Sequence, residues 1–217
     1  MVLLLEFFQH SNPARHQEYV KCLIENVQND QIDIIDIIIS DDVKLPIESP
    51  KIVITERETR PTYNDFFRIC NTKYPNQYCI VANTDIIFTD LSMINDKNMD
   101  NKFVTLSRWD ILGDGSIRLF DRKDSQDCWI FKTPIIFKNP PNFFLGKPGC
   151  DNRMAYMAWE SGYKVVNPAK QIITKHLHLT QLRNYTPRDT VNGMHMRVTT
   201  TDSINKDSHH ERFPYRV

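Results

Sequence analysis

Tyr78-Cys79-Ile80-Val81-Ala82-Asn83-Thr84-Asp85-Ile86-Ile87-Phe88 is the stretch on which the reading of this chain turns. Four of the five residues before Asn83 are apolar, Pro75-Asn76 supplies turn chemistry upstream, and the run breaks on the polar step Asn83-Thr84-Asp85. A short apolar run bounded by turn residues predicts a strand of a parallel sheet covered on both faces. Open α/β sheets bind their ligands outside the carboxyl ends of such strands. An Asn-x-Asp step there offers hard oxygen donors to Mg²⁺ or Mn²⁺ and, through the ion, to a diphosphate. The competing reading is an Asx turn, in which Asn and Asp side chains bond their own backbone.

The pattern repeats upstream. Residues 2–8 read as a strand. Ser11-Asn12-Pro13 is a helix start, a cap residue followed by Pro at the first helical position. Tyr19, Cys22, Leu23 and Val27 follow at helical spacing. Residues 32–39 form a β-branched second strand that ends in Ser40-Asp41-Asp42, and residues 51–55 form a third. Thr62 with Asp65 is a capping pattern, and Phe66, Phe67, Ile69 and Cys70 open the apolar face of a second helix. This alternation predicts an α/β fold with a Rossmann-like central sheet flanked by helices. Downstream it loosens. Residues 103–106, 128–131, 163–166 and 172–178 read as strands, and residues 150–160 as a helix stopped by Gly162. The sheet is therefore expected to be mixed. Beyond Asn184 the chain turns polar and reads as a wrapping tail or a linker.

At 217 residues, with 41% hydrophobic and 11% aromatic residues, the chain suits one α/β domain with a sizeable core. Lys+Arg and Asp+Glu are both 27, so the basic footprint that nucleic-acid binding needs is missing. No apolar run is long enough to span a bilayer. Met1-Val2-Leu3-Leu4-Leu5 has the apolar look of a leader, but Glu6 interrupts it and no small-residue cleavage site follows. It is read as the first strand. Cys22, Cys70, Cys79, Cys128 and Cys150 are odd in number and form no CxxC pair, which suits buried thiols in a reducing, cytoplasmic compartment.

Three strand ends now converge: Phe7-Phe8-Gln9, Ser40-Asp41-Asp42 and Asn83-Thr84-Asp85, with Arg60 near the start of the second helix. Over residues 2–90 this order resembles the nucleotide-sugar half of GT-A glycosyltransferases. Residues 125–183 resemble the acceptor half of small GT-A enzymes through Ser125-Gln126-Asp127-Cys128-Trp129-Ile130-Phe131, Gly149-Cys150-Asp151-Asn152 and His176-Leu177-His178. The whole is most similar to the small glycosyltransferase domains that chloroviruses use on their major capsid protein. The resemblance implies a GT-A fold with residues 1–90 as the nucleotide-binding half, 91–185 as the acceptor half and 186–217 as a tail. It also implies a UDP-sugar donor, a Mn²⁺ or Mg²⁺ ion, and a glycan or glycoprotein acceptor, viral capsid protein included. Further domains can follow Val217.

Within that resemblance, Phe8 stacks on uracil, Asp41 accepts the ring N–H, and Arg60 donates to a uracil carbonyl or to phosphate, with Arg57 as a second candidate. Each has an ordinary alternative: core packing for Phe8, a turn for Asp41, solvated charges for the arginines. Asn83-Thr84-Asp85 stands for the DxD metal motif, with Asn in place of the first Asp. That leaves Asp85 as the main metal ligand, Asn83 on ribose or water, and Thr84 as a backbone contact or filler. His176 and His178 alternate along an expected strand, so one alone faces the site, and His178 is the choice for the metal. Asp151, opening a helix after Gly149-Cys150, is the candidate base for an inverting reaction. If configuration is retained, it only positions. Trp109, Asp127 and Trp129 are the sugar-facing set, with core packing as the alternative for Trp129. Arg108-Trp109-Asp110 reads as a loop at the cleft. Arg183 is placed toward the leaving diphosphate or is a surface charge. Gly146-Lys147-Pro148-Gly149 is a closing loop or a plain turn.

Overall fold

A computed structural model describes residues 1–182 and 185–215. In chain order the elements are β1 (Val2–Glu6), α1 (Pro13–Gln28), β2 (Ile34–Ile39), β3 (Ile52–Glu56), α2 (Tyr63–Lys73), β4 (Tyr78–Ala82), β5 (Ile86–Phe88), β6 (Lys102–Leu106), β7 (Trp109–Ile111), β8 (Ile117–Leu119), β9 (Cys128–Lys132), α3 (Cys150–Glu160), β10 (Lys164–Val166), β11 (Thr174–His176), β12 (Gly193–Val198) and β13 (His210–Tyr215).

The central sheet runs β10-β6-β9-β4-β1-β2-β3. β1 pairs in parallel with β2 and β4, whereas β9 runs antiparallel to both β4 and β6. The expected α/β architecture, a mixed Rossmann-like sheet flanked by helices, is what the structure shows. β1 explains the uninterrupted apolar run at the amino end. Val2 and Leu4 join one core layer with Phe66, Phe67 and Met154, while Leu3 and Leu5 join the other with Tyr19 and Leu23. Both faces of β1 are covered, so alternation disappears from its sequence. The helix caps also follow local chemistry. Asn12 accepts the Arg15 N–H at 3.0 Å, and Thr62 with Asp65 closes a full capping box on α2.

After β3 the chain returns past β1 to place β4 on its other side, so strand order reverses between β1 and β4. A crevice opens outside the carboxyl ends at such a reversal. Immediately after Asp85 the chain leaves the central sheet and enters a second one, ordered β5-β11-β7-β8. In it His176 lies opposite Ile86 on one side and Asp110 on the other. These short strands carry almost no alternation, which is why residues 86–88, 109–111 and 117–119 were not expected as strands. Of the expected strand 172–178, only Thr174–His176 pairs.

The polar stretch beyond Asn184 holds more order than a tail. β12 and β13 pair antiparallel, and Met196 and Val198 enter the core beside α3. His195 packs under the turn before α3. A Cβ on Gly149, where φ is +73°, would meet His195 Cε1 at 2.7 Å, so this position requires glycine. All five cysteines are buried and free. Among the described residues, no helix is long and apolar enough to cross a membrane.

Candidate active site

A cavity of about 800 Å³ occupies the crevice at the strand-order reversal. Glu6 at the end of β1, Phe8 beyond it, Asp41 after β2, Asn83-Thr84-Asp85 after β4, Asp127 before β9 and Asp151 at the start of α3 all line it. Residues far apart in sequence meet here because β1, β2 and β4 run in parallel and end together.

Asp85 is the hub of one wall. Its Oδ2 accepts from the Arg15 guanidinium and lies 3.1 Å from His176 Nε2. Its Oδ1 is buried with no hydrogen-bond partner. Burial alone would raise this carboxyl, but the charges of His176 and Arg15 outweigh it and hold Asp85 well below the usual range. His176 bridges two carboxylates, with Nδ1 2.8 Å from Asp110. Burial would lower its imidazole, yet the Asp85 charge and the bonds to Asp110 and Asp85 lift it to about 9. His178 stands beside it, ring centroids 5.3 Å apart, with burial lowering its own value. One donor atom each from Asp85, His176 and His178 lies within 4.8 Å of the others. The unpartnered Asp85 oxygen and the His178 imidazole can take a divalent ion, and His176 can join them only by giving up a proton and its bond to one of its two carboxylates.

The charged chain continues across the cavity floor. Arg108 binds Asp110 at 2.9 Å and Asp127 at 3.0 Å, and the Asn83 amide donates to the other Asp127 oxygen at 2.9 Å. Asp151 also lines the cavity. Its carboxylate accepts the Gln126 and Asn152 N–H groups at 3.1 and 2.9 Å, with no cation bonded to it among the described residues. Desolvation of its carboxyl outweighs these N–H bonds, the Asp127 charge adds to it, and Asp151 is pushed up to about 7. That is the range in which a carboxylate exchanges protons at neutral pH.

The expected site residues fare unequally. Phe8, Asp41, Arg60, Asn83, Thr84, Asp85, Asp127, Asp151 and His178 line the cavity. Arg60 also binds Glu6 at 3.1 Å and the Leu145 carbonyl at 2.8 Å. Of the Asn83-Thr84-Asp85 step, Asp85 joins the carboxylate–histidine cluster, the Asn83 amide nitrogen donates to Asp127, and Thr84 Oγ1 donates to the Glu6 carbonyl at 2.7 Å. The expectation that one of His176 and His178 faces the site is corrected. β11 ends at His176, so strand alternation no longer governs His178, and both rings line the cavity. Arg57 turns instead to Asp65 in the α2 capping box, at 2.9 Å. Trp109 lies outside the cavity lining, its Nε1 donating to the Ala169 carbonyl at 2.8 Å. Trp129 is fully buried, edge-on to Tyr63 at 4.9 Å, because β9 lies in mid-sheet beneath α2 and α3. Arg183 lies outside the described residues.

Arg15, Asp110 and Arg108 were not singled out as site residues. Arg108-Trp109-Asp110 was legible as a polar step, but β7 alternates, so Arg108 and Asp110 point one way and Trp109 the other. Arg15 carries no local signal at all: it is an ordinary first-turn residue until β4 brings Asp85 to it.

No family model and no curated protein matches the chain. Solved structures that resemble it are distant. The 4-diphosphocytidyl-2C-methyl-D-erythritol synthase of Anaerococcus prevotii is 12% identical, with a TM-score of 0.49 over 87% of this chain and 91% of that one. HddC from Yersinia pseudotuberculosis is 13% identical, with a TM-score of 0.37 over 60% of this chain and 76% of its own. The Francisella tularensis 2-C-methyl-D-erythritol 4-phosphate cytidylyltransferase is also 13% identical, at 0.38 over 60% and 72%. At this distance the likenesses fix neither reaction nor substrate.

Proposed function

We propose that this chain is a divalent-metal-dependent glycosyltransferase of GT-A type, moving a sugar from a UDP-sugar to a hydroxyl of a glycan or glycoprotein. One observation carries the reading: a single cavity at the strand-order reversal is lined both by the Asp85–His176–His178 donor set and by a carboxyl, Asp151, raised to about 7. The residues suit the division of labour. Phe8 and Asp41 offer a ring and a carboxylate to a base, and Arg60 offers a guanidinium already braced by Glu6. Asp85 and His178 would hold the ion, with His176 joining them on deprotonation, and the ion when bound would supply positive charge to the departing diphosphate. Asp151 takes the proton of the acceptor hydroxyl as its oxygen bonds to the anomeric carbon and the bond to the phosphate oxygen breaks. In a retaining reaction that proton leaves on the donor phosphate, and Asp151 holds the acceptor hydroxyl in place. The resemblance in sequence adds viral capsid protein as one acceptor.

Nucleotidyl transfer on a related sheet is the second reading. It typically uses a glycine-rich loop after the first strand, and Gln9-His10-Ser11-Asn12-Pro13 contains no glycine. Calorimetric titration with UDP, with and without Mn²⁺, tests the proposal; metal-independent or absent binding defeats it. Product analysis then separates the two chemistries, because glycosyl transfer releases UDP from a UDP-sugar and nucleotidyl transfer releases pyrophosphate from UTP.

A further inference from the structure

A second concavity, about 690 Å³, adjoins the first and shares Arg122 and Asp124 with it. The junction lies close to Asp151. Gln126, whose N–H holds Asp151, is two residues beyond Asp124, and Arg122 grips Asp124 through two bonds of 2.8 and 2.9 Å. Past that junction the groove is lined by Asp121, Lys123, Lys170 and Arg197 with Thr199 and Thr200. Every lining side chain carries a charge or a hydroxyl.

Each of the four cations has a carboxylate partner, Arg122 the Asp124 already described. Lys170 pairs with Asp121 at 3.1 Å, and Lys123 and Arg197 share Glu211 at 2.5 and 3.1 Å. A nucleic-acid backbone needs a row of uncommitted cations, and here all four already hold a carboxylate, with a surplus of one positive charge. A peptide anchor needs an apolar pocket, and the lining has no apolar side chain. A polyhydroxyl chain needs alternating donors and acceptors, which ammonium, guanidinium, carboxylate and hydroxyl groups supply together. The pairs are half-exposed, so they hold one another weakly and can turn to a ligand.

We propose that this groove is an outer acceptor subsite, and that the acceptor is an oligosaccharide. Its terminal sugar reacts beside Asp151, and the sugars behind it cross Arg122 and Asp124 into the groove. The inference rests on the glycosyltransferase reading and adds to it the length and class of the acceptor.

The test is retention of the full chain on an array of defined mono- to hexasaccharides. Retention is expected for trisaccharides and longer chains only, and Lys170→Ala and Arg197→Ala should each weaken it about tenfold, roughly the loss of one good hydrogen bond. Unchanged far-UV dichroism and melting temperature exclude misfolding. Equal retention of monosaccharides, full retention by both variants, or retention of no glycan overturns the subsite. The two readings fail separately. Absent UDP binding with length-dependent glycan retention removes the enzyme and leaves the groove, whereas UDP binding without glycan retention removes the groove alone.

Discussion

Asp85 and Asp151 line one cavity, and their surroundings drive their titration apart. Asp85 touches Arg15 and His176, two cations, and is held ionised far below its usual range. Asp151 is bonded by two backbone N–H groups, lies near the charge of Asp127, and is pushed up to about 7. The same side chain becomes a permanent anion in one place and a proton acceptor in the other. Partner charge decides it, since both carboxyls are desolvated.

The comparison can be broken at several points. The largest effect is expected from Asp151→Asn, which should cut turnover by about 10²–10⁴-fold if Asp151 is the base, with UDP affinity retained by calorimetry. A loss below tenfold would return Asp151 to a positioning role. Next, Asp85→Ala takes one carboxylate from Arg15, which keeps Glu18, and one from His176, which keeps Asp110, and should cost about 1–3 kcal/mol in urea denaturation. A loss under 1 kcal/mol would mean the cations do not depend on Asp85.

The two carboxyls should also respond oppositely to pH. Asp85 is lowered on folding, so its contribution is present above the unfolded pKa of about 4 and is lost on acidification. Asp151 is raised, so between about pH 4 and 7 the unfolded chain ionises it and the folded chain does not; stability falls as pH rises through that window. From pH 4 to pH 8 the balance between Asp151→Asn and the parent should therefore move toward the variant by on the order of 2–4 kcal/mol. A pH-independent difference would contradict the raised value. The smallest effect is a displacement of the rate profile. Turnover should rise with pH through about 7, and Asp127→Asn, which removes a like charge from Asp151, should move that midpoint downward. A midpoint that stays put would remove Asp127 from the electrostatics of Asp151.

Much of this was legible in the chain. The apolar run through residues 78–82, the caps at Asn12 and Thr62, and the polar steps at Asp41 and Asp85 report local preferences, and local preferences are what sequence patterns encode. The helix opened by Cys150 was legible for the same reason, and with it the place of Asp151. The second sheet was not. Its strands are three residues long, too short to display a period, and their pairing is set by chain segments as remote as residues 86 and 176. The polar look of residues 193–198 likewise hid a hairpin whose inward side chains, Met196 and Val198, are only two.

By itself, then, the amino-acid order determined the α/β alternation, the carboxyl-end location of the site and the candidacy of Asp85 and Asp151, because hydrophobic period and capping act over a few neighbours. Tertiary structure alone decided that Arg15 and both histidines gather around Asp85, with Asp110 behind His176, while Asp151 meets no cation among the described residues. Those contacts depend on strands ending side by side, and the electrostatic character of each carboxyl is a property of that assembly rather than of its own segment.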